Sequence, residues 1–318
     1  MDTYDRALEI LFRILRGEEV SVKKLADEHN VSTKSISRDI SRVKNFLAEN
    51  RDLTSNAELA YCYAHKAYRL AADEFLTNKE VLAIAKALLG TRAFSTKEAT
   101  RLINKFRRFT TADDRKKLDE IVRKEIYHYT EVNHDCDSLT ETIWRLVSAI
   151  HEKREITLRY YKMDRLMTEK RIQPASLIFM EYYFYLIAYY PERYSEPRYF
   201  RVDRIKDIVE HRKPADTKRI PDFDEGLLRK RCQFMYYGPL RTIRFEYSGP
   251  SVQAILDRLP TAKVLERNRG AYTIEAEVHG DGIKMYLLSQ GAWVKVFAPQ
   301  DFAEEIRDEI EKMRGLYE

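Results

Sequence analysis

The residues with the most chemical potential lie between positions 182 and 205, in the run YYFYLIAYYPERYSEPRYFRVDRI. An aromatic, strand-like stretch ending at Tyr190 is followed by Arg198, Arg201 and Arg204. Guanidinium groups fork onto phosphate oxygens, and aromatic faces stack on bases and cations. Together they suit a surface that holds nucleotides. The same residues also suit a tyrosine-rich buried hairpin with arginines along its wet edge, and composition alone favours that second reading. Asp203 and Asp207 are close enough in sequence to engage some of these arginines. A strand alternates its faces, so Arg198 and Arg204 need not point where Arg201 points.

A second concentration of chemistry sits near the other end. Residues 1–50 hold nine basic and nine acidic side chains, yet residues 32–47 carry Lys34, Arg38, Arg42 and Lys44 against Asp39 alone. Positive charge is therefore gathered on one element. Thr33, Lys34, Ser37, Arg38 and Ser41 share the face opposite Ile36, Ile40, Val43 and Leu47. Short hydroxyls and long cations at the N-terminal half of a helix are what major-groove reading requires, while Arg42 and Lys44 suit phosphates. A solvated helix face is the plain alternative.

The elements that position these residues follow from periodicity. Tyr4, Ala7, Leu8, Leu11, Phe12 and Leu15 recur at three and four residues, as on the inner face of an amphipathic helix that Gly17 ends. Ser21 is placed to cap a second helix, Asn30 suits a left-handed turn, and Ser32 is placed to cap the basic third helix. Helix, tight turn and capped basic helix make a helix-turn-helix. Residues 58–71 read as two short strands around Ala64-His65-Lys66, either a wing whose His65 and Lys66 touch DNA or a plain structural hairpin.

From Thr77 to Tyr129 the pattern is helical, with apolar sets at Val81–Leu89, Leu102–Phe109 and Leu118–Ile126. This segment reads as a linker that takes part in dimerisation. Residues 92–124 carry eleven basic and five acidic side chains, which fits a solvated helix face. A helix over Leu139–Lys153 precedes short period-two runs at Ile156–Tyr161, Glu169–Leu177, Tyr182–Tyr190, Arg198–Val202 and Ile205–Arg212. One helix and five short strands suggest a small Sm-like or SH3-like barrel. Residues 241–318 read β-α-β-β-α-β-α, the order of a ferredoxin-like domain, with Trp293 in the core or at a subunit contact. Gly280-Asp281-Gly282 lacks the rest of a phosphate loop and reads as a helix start.

The LRYY strand, the IQPASL strand, FYL at 184–186 and YFRVDRI at 199–205 together resemble the WYL domain. Behind a winged helix, they make the chain similar to WYL-domain transcriptional regulators along essentially its whole length. The motif tryptophan is Phe184 here, which keeps the packing and loses an indole donor. The resemblance implies an α+β multidomain architecture. A winged helix at 1–74 is followed by a helical linker at 75–134. A five-stranded WYL barrel spans 135–215, and a ferredoxin-like dimerisation extension spans 216–318. It implies a domain that senses a nucleotide or single-stranded nucleic-acid fragment. The matching residues are Tyr160, Tyr185, Arg198, Arg201 and Arg204, with Arg159 and Arg171 as additions. It also implies homodimers on a palindromic double-stranded operator, and relatives suggest a link to phage defence.

Composition agrees with a cytoplasmic chain. The sequence has 318 residues with 34% charged, and no apolar run approaches the ~20 residues that span a bilayer. Its first ten residues are charged, unlike a signal peptide. Cys62, Cys136 and Cys232 stand far apart and read as reduced thiols, and no HExxH or GxSxG occurs. His128, His134, Cys136 and Asp137 fit unrelated loop residues. The expectation is a non-enzymatic, cofactor-free regulator, with repression the simpler mode because it needs no polymerase contact. The alternative is a single-strand-binding accessory protein that works through its barrel.

Overall fold

The computed structural model describes residues 3–51, 54, 57–71, 77–107, 112–214, 223–236, 238–268 and 270–318. The chain is a mixed α/β multidomain protein with several antiparallel sheets, divided into two compact units, Met1–Val132 and Asn133–Glu318. The expected boundaries at 74–75 and 215–216 lie outside the described residues, as does Phe109. Among the described residues no helix is long and apolar enough to cross a membrane.

In the first unit α1 (Thr3–Leu15), α2 (Val22–His29) and α3 (Thr33–Glu49) precede a hairpin of β1 (Glu58–Cys62) and β2 (Ala67–Ala71). Ile10, Ile14, Leu25, Ile36, Ile40, Val43, Leu47 and Leu59 form their common core. The α3 stripe points inward as its spacing requires. For α1 the expected face is only partly right: Ala7 and Leu11 pack against this core, but Tyr4, Leu8 and Phe12 are 74%, 54% and 60% exposed, while Arg6, Ile10 and Ile14 are buried. The cause is an ion pair. Asp39 on α3 is fully buried, and Arg6 Nε donates to its Oδ2 at 2.5 Å, which turns the Arg6 side of α1 into the core.

Next come α4 (Asn78–Thr91), α5 (Thr96–Phe106) and α6 (Ala112–Tyr127), packed through Ala85, Leu89, Ile103 and Val122. Thr77 and Glu80 form a reciprocal capping box at the start of α4. That helix runs through Gly90 to Thr91 and closes on Arg92, which is left-handed at φ 54°.

In the second unit α7 (Leu139–His151) lies against β3 (Arg154–Tyr161) and β4 (Met167–Met180). Then follow β5 (Tyr183–Tyr190), β6 (Arg193–Arg201) and β7 (Ile205–Pro214), in a sheet of order β6-β5-β4-β3-β7. The expected barrel is not closed: among the described residues no ladder joins β6 to β7. The strand β4 serves two partners, pairing through Ile172 with β3 and from Gln173 onward with β5. The second ladder slips at Pro174, which has no N–H to give it.

A helix not foreseen from sequence, α8 (Glu225–Arg231), places Leu228, Cys232 and Met235 against Ile178 and Ile187. The remaining elements are β8 (Leu240–Tyr247), α9 (Val252–Arg258), β9 (Lys263–Asn268), β10 (Ala271–His279), α10 (Gly282–Ser289), β11 (Val294–Ala298) and α11 (Gln300–Arg314). Their sheet runs β11-β8-β10-β9, every neighbour antiparallel, over a core that includes Phe245, Ile274 and Phe302. Gly282 begins α10 because a Cβ there would lie 1.7 Å from the Gln233 carbonyl oxygen. Trp293 is half exposed rather than in the core.

Candidate functional site

Two separate surfaces gather the residues of interest. On the first, Ser32 sits in extended backbone and its Oγ accepts from Ser35 N at 3.2 Å, which starts α3. Asn30 closes α2 in the left-handed region at φ 52°. Ser21 has an extended backbone there but makes no side-chain cap bond. Thr33, Lys34, Ser37, Arg38, Ser41, Arg42 and Lys44 are all exposed. They are not equally available. Ser41 Oγ donates to Ser37 O at 2.9 Å, and Arg42 Nη1 donates to Asp39 Oδ1 at 3.2 Å. No carboxylate among the described residues pairs with Lys34, Arg38 or Lys44. At the hairpin turn Lys66 is left-handed at φ 51°, and His65 Nδ1 lies 2.7 Å from Glu19 Oε2. His65 is thus engaged before any partner arrives.

The second surface is a cavity of about 590 Å³ in the second unit, lined by Tyr160, Tyr185, Tyr199, Arg201, Arg204, the turn residues Lys162, Met163 and Asp164, and Phe234, Met235 and Tyr236. Tyr160, Tyr185, Arg201 and Arg204 therefore come together. Arg171 and Arg198 do not line it: Arg171 grips Glu155 Oε2 through Nε and Nη2, and Arg198 lies opposite Ala188 in the β5–β6 ladder.

Arg201 and Arg204 take different roles. Arg201 directs its fork to Asp203, at 3.1 Å and 2.7 Å, and stacks on Tyr183 with its guanidinium carbon 3.4 Å from the ring centroid. Burial opposes its charge, but Asp203 outweighs that and holds the guanidinium protonated beyond its usual range. Asp207 takes no part, standing 3.7 Å from Arg145 instead. Arg204 has no ion-pair partner among the described residues; beyond its side-chain hydrogen bond to the Tyr160 hydroxyl, its remaining hydrogens are the ones open to a ligand anion. Burial raises the Tyr160 pKa, against the Arg201 backbone N–H that donates to its hydroxyl at 3.2 Å and against nearby Arg204.

Burial also pushes the Tyr185 phenol up to about 12 from its ordinary 10. A raised pKa means the folded chain keeps a proton that the unfolded chain releases. That contribution is complete below pH 10 and disappears as pH rises towards 12. Urea midpoints over this range should fall less steeply in Tyr185→Phe than in the parent; equal slopes would discount the effect.

Sequence reasoning missed the far wall. Phe234 and Met235 are consecutive left-handed residues, at φ 55° and 51°. For bulky side chains this conformation costs roughly 1–2 kcal/mol each, strain of the kind kept where side chains must be aimed. The available signal was the aromatic cluster Phe234, Tyr236 and Tyr237 beyond the last strand of the five-stranded sheet.

Residues 141–210 match the family model described as WYL domain. No curated protein matches the chain. Among solved structures, the proteasome accessory factor B/C (PafBC) of Arthrobacter aurescens aligns at 15% identity and a TM-score of 0.29, covering 96% of this chain and 48% of that one. The chain thus spans about half the length of that structure. A CRISPR Cas-related protein aligns at 14% identity and a TM-score of 0.39, covering 77% of this chain and 75% of the other. At these scores neither superposition bears on function. What the match to the family model does establish is that the chain carries a WYL domain running from α7 into β7.

Proposed function

We propose that the protein is a DNA-binding transcriptional regulator, a homodimer that represses from a palindromic operator and whose WYL domain senses a nucleotide or single-stranded nucleic-acid fragment. The observation that carries this reading is the outward face of α3, where Lys34, Arg38 and Lys44 are exposed with no carboxylate partner among the described residues. A capped helix that presents uncompensated cations after a tight turn suits a duplex groove. In this reading α1–α3 with the hairpin are a winged helix. The five-stranded sheet is an Sm-like fold left open, and the β11-β8-β10-β9 sheet with its helices is ferredoxin-like. The exposed Tyr4, Leu8 and Phe12 stripe supports self-association.

The cavity suits binding, since its lining pairs aromatic faces with cationic side chains. Tyrosines offer faces to a base, and Arg204 and Lys162 offer charge to phosphate. A ligand shifts DNA affinity only by preferring one of two protein states.

The test is to sequence genomic fragments captured by the purified protein with and without a single-stranded oligonucleotide. Loss of one charge-assisted contact in Arg204→Ala should weaken oligonucleotide binding by about 1.5–3 kcal/mol, roughly tenfold or more, while duplex binding stays intact. Arg201→Ala is a poorer probe because it strands the buried Asp203. Capture of no preferred duplex would turn the reading towards a single-strand-binding protein.

A further inference from the structure

We propose that Glu19, Cys62 and His65 form a binding site for a divalent transition-metal ion of the zinc type, which pins the β1–β2 hairpin to the loop before α2. One carboxylate oxygen, the thiol sulfur and one imidazole nitrogen all lie within 4.8 Å of one another. The backbone holds them there without the metal. Cys62 closes β1 opposite Ala67, and His65 sits three residues later in the turn, where Lys66 takes the left-handed conformation. Glu19 precedes Val20, which exchanges two 2.8 Å backbone hydrogen bonds with Tyr68 of β2. Ligands 43 and 46 positions apart in sequence are therefore brought together by a backbone bridge one residue away.

The donor set selects the ion. A thiolate and an imidazole beside a carboxylate suit zinc, cobalt or nickel and disfavour magnesium and calcium, which prefer oxygen alone. Zinc takes such donors at about 2.0–2.3 Å in a tetrahedron, which sets their mutual spacing at roughly 3.2–3.6 Å. The 2.7 Å contact between His65 and Glu19 opens slightly and Cys62 closes in. All three side chains reach solvent, with Cys62 half-buried, so the movement needs only rotamer changes. Three protein ligands leave the fourth position for water. On binding, the Cys62 thiol gives its proton to solvent and the sulfur takes the metal. The site passes from the single negative charge of Glu19 to neutrality, next to the exposed Lys66. The hairpin turn then becomes both stiffer and more attractive to phosphate.

Metal-free full-length protein titrated anaerobically with cobalt(II) chloride should bind one equivalent with a thiolate-to-cobalt charge-transfer band in the near ultraviolet. Zinc chloride should displace it. Cys62→Ser should abolish the band with an unchanged far-ultraviolet circular dichroism spectrum. Should that variant fold poorly, His65→Asn and Glu19→Gln should each weaken binding at least about tenfold, a change of roughly 1.4 kcal/mol. Absence of the band in the parent, or its persistence in Cys62→Ser, would overturn the assignment.

Discussion

Replacing Arg6 with alanine should lower the stability of the first unit by about 3–5 kcal/mol, because it leaves a buried carboxylate without its partner. Asp39 is wholly inaccessible, and Arg6 is 7% exposed. The remaining donor, Arg42, approaches at 3.2 Å from an exposed position and is screened by water, which brings the expected loss towards the lower end of the range. Desolvation of both charges offsets most of what their attraction contributes, so a matched apolar pair can do as well. Arg6→Met combined with Asp39→Leu should therefore recover most of the loss. Urea denaturation of the parent, Arg6→Met, Asp39→Leu and the double variant closes the cycle. A single-variant loss below about 1 kcal/mol would remove Arg6–Asp39 as the reason α1 is turned as it is. Asp39 shares α3 with Lys34 and Arg38, so the pair also fixes how those cations are presented.

The second large effect concerns those cations. Lys34→Ala and Arg38→Ala should each cost about 1–3 kcal/mol of duplex affinity where the side chain reads a base, and only about one unit of salt slope where it meets a phosphate. They are one helical turn apart at the capped end of α3, and neither has a competing carboxylate among the described residues. Ser41 and Arg42 are already engaged within α3, so their replacement should matter less. Lys44→Ala serves as the phosphate control and should weaken all sequences alike. Fluorescence anisotropy on a selected duplex at two salt concentrations separates these outcomes. If the Lys34→Ala/Arg38→Ala double variant binds as the parent does, α3 is not the reading element.

Parts of this arrangement are legible from sequence for clear physical reasons. Ile36, Ile40, Val43 and Leu47 are uninterrupted, and Ser32 caps them, so α3 and its outward face follow from spacing alone. The β-α-β-β-α-β-α order of the last 78 residues likewise follows from alternation and turn chemistry. The orientation of α1 does not, because hydropathy counts Arg6 as a surface residue and cannot see Asp39 33 positions away. Closure of the sheet depends on edge geometry that no periodicity encodes. The wall formed by Phe234 and Met235 depends on two left-handed bulky residues, for which sequence carries no rule. The contrast between Arg201 and Arg204 rests on where one buried carboxylate points, and the triad of Glu19, Cys62 and His65 on a single bridge between distant segments.

Asp135 links the cavity to the segment that enters the second unit. Its backbone N–H donates to the Asp203 carbonyl at 2.7 Å, and its carboxylate accepts two hydrogen bonds from Arg165, at 2.9 Å and 3.0 Å. Asp203 belongs to the turn that holds Arg201, and Arg165 follows Lys162, Met163 and Asp164 on the opposite rim. One residue, the third of the second unit, is thus a keystone for both rims. A guest that spreads the rims must stretch the bonds on one side of Asp135 or the other. Any movement of either rim would therefore act on Asp135, in the segment that begins the second unit.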